Sequence, residues 1–197
     1  MAYYPWIKAT DSDGSGVTVP ATGHVAGVWA RVDAARGIHK APTNESLRGV
    51  VGLAQDISGE EQTDLAGQGV NVLRKFPGTG FVVWGARTLA AGDPSVQEDG
   101  YLNVRRTVNF IRQSISQSTA WAASEPDGDT LRSSVTASVT NFLTSLWQQG
   151  ALVGKSAEEA FYVVCENQGQ LTVDVGVAIV RPSEFVTFRV TQGAGKS

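Results

Sequence analysis

The stretch Ser133–Ser156, SSVTASVTNFLTSLWQQGALVGKS, constrains the fold more than any other part of the chain. Leu131, Val135, Val139, Phe142, Leu146 and Trp147 recur at spacings of three and four, which places them on one face of a 3.6-residue helix. Gly150 stands where such a helix needs a left-handed residue to end. The pattern predicts a long helix, a glycine cap and a tight connection to the next element.

That connection, Gly150-Ala151-Leu152-Val153-Gly154-Lys155-Ser156, resembles a phosphate-binding loop, in which backbone N–H groups cradle phosphates and a lysine reaches the outer ones. It departs from the motif in two ways. The loop between the glycines is one residue short, and a predicted helix comes before it where the motif needs a strand. The tail Gly193-Ala194-Gly195-Lys196-Ser197 ends in the same letters but has Val190 in place of the first glycine. A nucleotide-binding enzyme built on Gly150–Ser156 is the competing functional reading, set against a plain helix cap and turn.

A chain of 197 residues suits one domain, or one with an appendage, and 42% hydrophobic with 18% charged residues fits an ordinary globular core. A net charge of -3 and a pI near 5.4 give no electrostatic reason to expect nucleic acid or an anionic membrane as partner. Cys165 is the sole cysteine, so no internal disulfide forms, and its apolar surroundings predict a buried, inert thiol. The start, Met1-Ala2-Tyr3-Tyr4-Pro5-Trp6, has neither a basic nor an extended apolar region, so no signal peptide is expected. No apolar run approaches the ~20 residues of a membrane span, and no membrane insertion is expected.

Tyr3, Tyr4, Trp6 and Ile7 read as a strand that opens at full strength, which implies that something precedes it or pairs with it. Asp11-Ser12-Asp13-Gly14-Ser15-Gly16 is a turn; it lacks the later acids and closing glutamate of a calcium loop. His24–Asp33 is rich in small residues and reads as a helix lying close to a neighbour. Ala41-Pro42-Thr43-Asn44 forms a turn and Leu47–Leu53 a short strand, while Ser58 caps a helix that Gly67 and Gly69 cut short. Val70–Arg74 and Phe81–Ala86 flank a proline-glycine turn and read as a strand pair.

Ala90–Gly100 is a polar loop. Asn103 is placed to cap a helix with Val104, Val108, Ile111 and Ile115 on one face and Arg105, Arg106, Arg112 and Gln113 away from most of it. Glu125–Asp129 ends that helix, Asp129 or Thr130 caps the next, and the two make an antiparallel pair. Phe161–Cys165 is a strand, Asn167–Gln170 a hairpin turn, and Leu171, Val173, Val175, Val177 and Ile179 alternate as a half-buried strand. Arg181-Pro182-Ser183 interrupts, so Phe185–Val190 resumes as a detached strand that either folds back or adds to another subunit's sheet.

No catalytic constellation emerges. His24 and His39 are the only histidines, no His–Cys cluster has metal-ligand spacing, and no G-x-S-x-G marks a nucleophile. Asp93, Glu98 and Asp99 read as solvated loop acids, and Arg87 as an ion-pairing residue at a strand end. No metal and no cofactor are expected.

Several stretches in order resemble the C-terminal part of the tail sheath proteins of contractile phages and related injection systems. Tyr3-Tyr4-Pro5-Trp6-Ile7 is similar to the family's Y-Y-P-W segment, and Gly23–Asp33 to its G-x-x-A-G-[VI]-[YW]-A-R-x-D segment. Lys40-Ala41-Pro42-Thr43-Asn44 resembles its K-A-P-A-N. Asn71, Phe76-Pro77-Gly78 and Val83–Leu89 follow its N-x-x-R-x-F-P-G and W-G-A-R-T-L run. Tyr101–Arg106 resembles its [YF]-[IVL]-N-V-R-R. Glu125-Pro126, Asn141-Phe142-Leu143, Leu146-Trp147 and Gly150-Ala151-Leu152 are similar to its closing segment.

The resemblance implies a structural protein, not an enzyme, that polymerises with itself in rings around an inner tube. By contracting it drives the tube through a target envelope, with baseplate and tail terminator or cap proteins as further partners. It implies a particle of phage-tail type, made in the bacterial cytoplasm. It further implies that the C-terminal strand, here Phe185, Val186, Thr187, Phe188, Arg189 and Val190, meets an N-terminal arm in a neighbour's sheet. Family members are longer, and this chain corresponds to their last third or half, without that arm. Arg105, Arg106 and Arg112 read either as a basic face that meets the tube or a neighbour or as a solvated helix face, since charge alone names no partner.

The expected fold is α+β: two long antiparallel helices packed on a mixed sheet, with a detached C-terminal strand. Its expected divisions are 1–89, the core's N-terminal portion; 90–180, the helix pair and hairpin; and 181–197, the arm.

Overall fold

The computed structural model describes residues 1–93, 99–126, 128–167 and 171–182. The elements are β1 Ala2–Tyr4, β2 Ile7–Thr10, β3 Gly16–Val19, α1 Thr22–Arg36, β4 Glu45–Ser46, β5 Val50–Leu53, α2 Gly59–Gly67, β6 Val70–Phe76 and β7 Gly80–Trp84. They continue with α3 Leu102–Ser118, α4 Asp129–Gln148, α5 Ala157–Ala160, β8 Phe161–Asn167 and β9 Leu171–Val177. Short 3-10 turns cover Leu89–Gly92 and Ala120–Ser124.

The fold is mixed α and β, but the described strands divide among three sheets where one was expected. The first, in order β1-β6-β7-β4, is mixed: β1 runs parallel to β6, and the other pairs are antiparallel. The opening strand therefore does pair, with Tyr3 beside Asn71. It breaks off at the cis Tyr4–Pro5 peptide, after which β2 joins an antiparallel sheet, β3-β2-β5. The third sheet is the β8–β9 hairpin.

α1 packs on the first two sheets through Val25, Val28 and Val32, each 1% exposed, against Ile7, Leu47, Leu73 and Val83. Spacings of three and four put these valines on one stripe. The small residues Gly23, Ala26, Gly27 and Ala30 face outward, so the close neighbour they were expected to meet is not among the described residues. The serine cap on α2 is a full capping box: Ser58 Oγ accepts from the Glu61 N–H, and the Glu61 carboxylate accepts from the Ser58 N–H.

The second core lies between α4, the hairpin and α3. Leu131, Val135, Val139, Leu143 and Leu146 of α4 meet Phe161 and Ala160, with Ile111 of α3 in the same cluster. The Phe110 and Phe142 rings, 6.1 Å apart, extend the α3–α4 contact towards solvent. The tight loop expected between these helices is instead the 3-10 turn Ala120–Ser124, because α3 already ends at Ser118.

Two caps fall elsewhere than expected. Tyr101, in extended conformation, is the N-cap of α3, and Asn103 is buried inside the first turn. Asp129 is the first residue of α4, with Gly128 as cap. The C-terminus of α4 matches its pattern. The Gly150 N–H donates to the Trp147 carbonyl and the Ala151 N–H to the Leu146 carbonyl, with Gly150 at φ +78°, a Schellman ending.

Candidate assembly surface

The Gly150–Ser156 connection has no free phosphate cradle. Its N–H groups at Gly150, Ala151, Val153 and Lys155 donate to Trp147 O, Leu146 O, Ala178 O and the Glu159 carboxylate. The Gly154 carbonyl accepts from Trp147 Nε1 at 3.0 Å. The helix that follows has four residues. These amides are consumed in capping α4, in the turn before α5 and, at Val153, in a bond to the chain beyond β9, which leaves the nucleotide-binding reading without support.

The three arginines separate. Arg105 is exposed and pairs with Asp99, 3.0 Å away. Arg112 is exposed and, seven residues on, lies on nearly the same side of α3. Arg106 turns inward. Its guanidinium pairs with both carboxylate oxygens of Asp33 on α1 and lies 5.0 Å from the Trp29 ring centroid. It is therefore engaged within the chain and does not belong to an outward basic face, a correction to the grouping expected from sequence.

Trp29 is the centre of that joint. Its Nε1 donates to Tyr3 Oη at 3.2 Å, and the two rings meet edge to face, 6.5 Å apart. Burial pushes the Tyr3 hydroxyl up to about 12, outweighing the opposing effects of the Trp29 hydrogen bond and the Arg106 charge. Nearby, Ala41, Ala86 and Leu102 form a small core under Trp29. The Leu102 N–H also donates to the Ala86 carbonyl, so the start of α3 is fastened to the first sheet's exit.

His39, in the turn after α1, is half-buried, and burial and then the Lys40 charge hold its imidazole below the usual range. Arg87 donates through Nη1 to the Ala66 carbonyl. Asp93 is exposed, as expected of a loop acid. Cys165 is half-buried and borders an open groove of about 700 Å³ along Arg132, Ser133, Thr136, Thr140 and Asn141 of α4, where a buried, inert thiol was expected. Residues 185–190, expected to form the detached strand, and Glu98 lie outside the described residues.

The β8–β9 hairpin presents what the sequence reading missed. Phe161, Val163 and Cys165 face α4, while Tyr162 and Val164 are 60% and 43% exposed on the opposite side. Among the described residues no further strand joins either edge. The signal was the unbroken run Phe161-Tyr162-Val163-Val164-Cys165, apolar on both faces where a half-buried strand would alternate. Tyr162 lies across Gly176 opposite it, where an added Cβ would fall 2.0 Å from a ring carbon.

Among the described residues no group of three or more His, Cys, Asp or Glu side chains could hold a metal ion. No helix there is long and apolar enough to cross a membrane.

Two family models match in succession: the phage tail sheath protein central domain over residues 1–89 and the phage tail sheath C-terminal domain over residues 97–193. The tail sheath protein of Burkholderia phage BcepMu is 31% identical over 161 residues, covering 78% of this chain and 34% of that protein. That of Escherichia phage P2 is 26% identical over 199 residues, covering 96% and 49%. A sheath complex of an extracellular contractile injection system, PVC, in its contracted state superposes with a TM-score of 0.87 at 37% identity, over 97% of this chain and 55% of that one. The contracted helical sheath of the anti-feeding prophage gives 0.85 at 34% identity, over 97% and 55%. The chain belongs to the contractile tail sheath protein family of phages and phage-like injection systems. It spans about half the length of the sheath chains it superposes on, and less of the BcepMu protein.

Proposed function

We propose that this chain is the central and C-terminal part of a sheath subunit that stacks with copies of itself in rings around an inner tube and contracts to drive that tube through an envelope. The observation that carries the reading is the superposition on contracted sheath subunits over 97% of the chain. Its divisions are 1–89 and 90–180 as body and 181–197 as arm, with α3 and α4 as an antiparallel pair. The detached strand Phe185–Val190 adds to a neighbour's sheet, and the β8–β9 hairpin, with no further described strand on its edges, is suited to receive one. Main-chain hydrogen bonds made in this way keep subunits joined while other contacts break and re-form.

Such a role requires bistable subunit contacts and no chemistry within the subunit, so the protein is not an enzyme. Arg105 and Arg112 face outward towards the tube or a neighbouring subunit. Baseplate and terminator or cap proteins close the ends of the assembly.

Negative-stain microscopy of the longest reading frame containing this sequence, beside residues 1–197 alone, tests the reading. Helical tubes from the longer protein and small particles from the shorter are expected. Monodisperse small particles from both would overturn it.

A further inference from the structure

Asn103 is 1% exposed, and its Nδ2 donates hydrogen bonds of 2.9 Å to the carbonyls of both His39 and Val180. Both partners can only accept, so the amide nitrogen must face them. Its Oδ1 is buried with no partner among the described residues, an arrangement that costs free energy. Two bonds to points 64 and 77 residues away in sequence are what this orientation provides.

Val180 ends a strap. The Val153 N–H donates to Ala178 O, the Ala178 N–H to Ala160 O, and the Val180 N–H to Ala151 O, while Leu152 bridges Ile179. The chain leaving β9 is thus fastened to the α4–α5 connection along one side. Asn103 adds a further bond at the Val180 carbonyl and reaches on to the turn after α1.

We propose that Asn103 is a positioning residue for the C-terminal connection, fixing the place and heading of the chain at Val180 relative to residues 1–89. Its consequence rests on the sheath reading. Tension on an arm beyond Val180 reaches residues 90–180 through the strap and, through the Asn103 side chain, the turn after α1 as well, so the heading of the arm relative to residues 1–89 is set there.

Hydrogen exchange on the full chain tests the clamp. Asn103→Asp, nearly isosteric, replaces both donors with oxygen, and Asn103→Ser is too short to reach. In both, exchange at the Val153, Ala178 and Val180 amides is expected to quicken about tenfold or more, with β6 and β7 unaffected. Thr107→Val, which alters another buried polar residue of the same helix, should leave the three amides unchanged. Unchanged exchange in the Asn103 variants, uniform acceleration throughout, or unfolding of both variants would overturn the proposal.

The same substitutions in the longest reading frame should abolish tubes or change their helical pitch, and tubes identical to the parent's would overturn the lattice consequence. If the parent frame forms no tubes, the sheath reading fails while the exchange data still decide the clamp.

Discussion

Asn71 and Asn103 are both buried, yet their amides are used differently. Asn71 Nδ2 donates to Ala2 O and Arg87 O, and its Oδ1 accepts from the Arg87 N–H, so nothing on it is left over. Asn71→Ala would remove all three bonds and strand their backbone partners, for an expected loss of about 2–4 kcal/mol in urea unfolding. Gly85 belongs to the same arrangement: at φ +128°, a Cβ there would lie 2.8 Å from Asn71 Oδ1. Tyr3 supplies a test by pH. Its hydroxyl ionises near 12 in the fold and at 10.0 unfolded, so the unfolded chain releases the proton first. Its contribution is intact below pH 10 and is lost as pH rises from there towards 12, and Tyr3→Phe should flatten that part of the stability profile. Neither role was visible in the sequence, where Asn71 stands only as one residue of a family segment and Tyr3 as part of an opening strand. Long-range hydrogen bonding leaves no periodic trace.

At the level of elements, α4 shows how far periodicity reaches. The apolar spacing located the helix, its face and its end at Gly150, but selected Phe142 where Leu143 is the residue with 0% exposure. Both lie within the stripe, and which one is covered depends on β8 and α3, not on spacing. Leu143→Ala is accordingly expected to cost about 2–5 kcal/mol in thermal or chemical unfolding, and more than Phe142→Ala, whose ring borders solvent beside Phe110. Hairpins were legible for the same local reason: the Pro77-Gly78 turn and the alternation in β9 are written within a few residues. The pairing of β1 with β6, the division into three sheets and the inward turn of Arg106 were not, since each depends on partners tens of residues away.

Across the whole molecule, the two family portions meet at the start of α3. Arg106 pairs with Asp33 and stacks on Trp29, Asn103 holds His39, and Leu102 packs with Ala41 and Ala86. A joint this mixed in chemistry should make residues 1–89 and the remainder unfold together, as one calorimetric transition. Arg106→Gln is expected to lower stability by about 1–2 kcal/mol, held down by the partial exposure of both charged side chains, and to broaden that transition. Two resolved transitions in the parent chain would show that the portions are independent. The Tyr162 ring over Gly176 has a consequence in a magnetic field. The side-chain position of the glycine is filled by the tyrosine ring, so ring current should displace an α-proton resonance from the usual glycine range. That displaced signal marks the hairpin in a spectrum of the free chain, and its shift on adding a peptide of residues 181–197 would report, without any label, whether a strand has come to rest beside it.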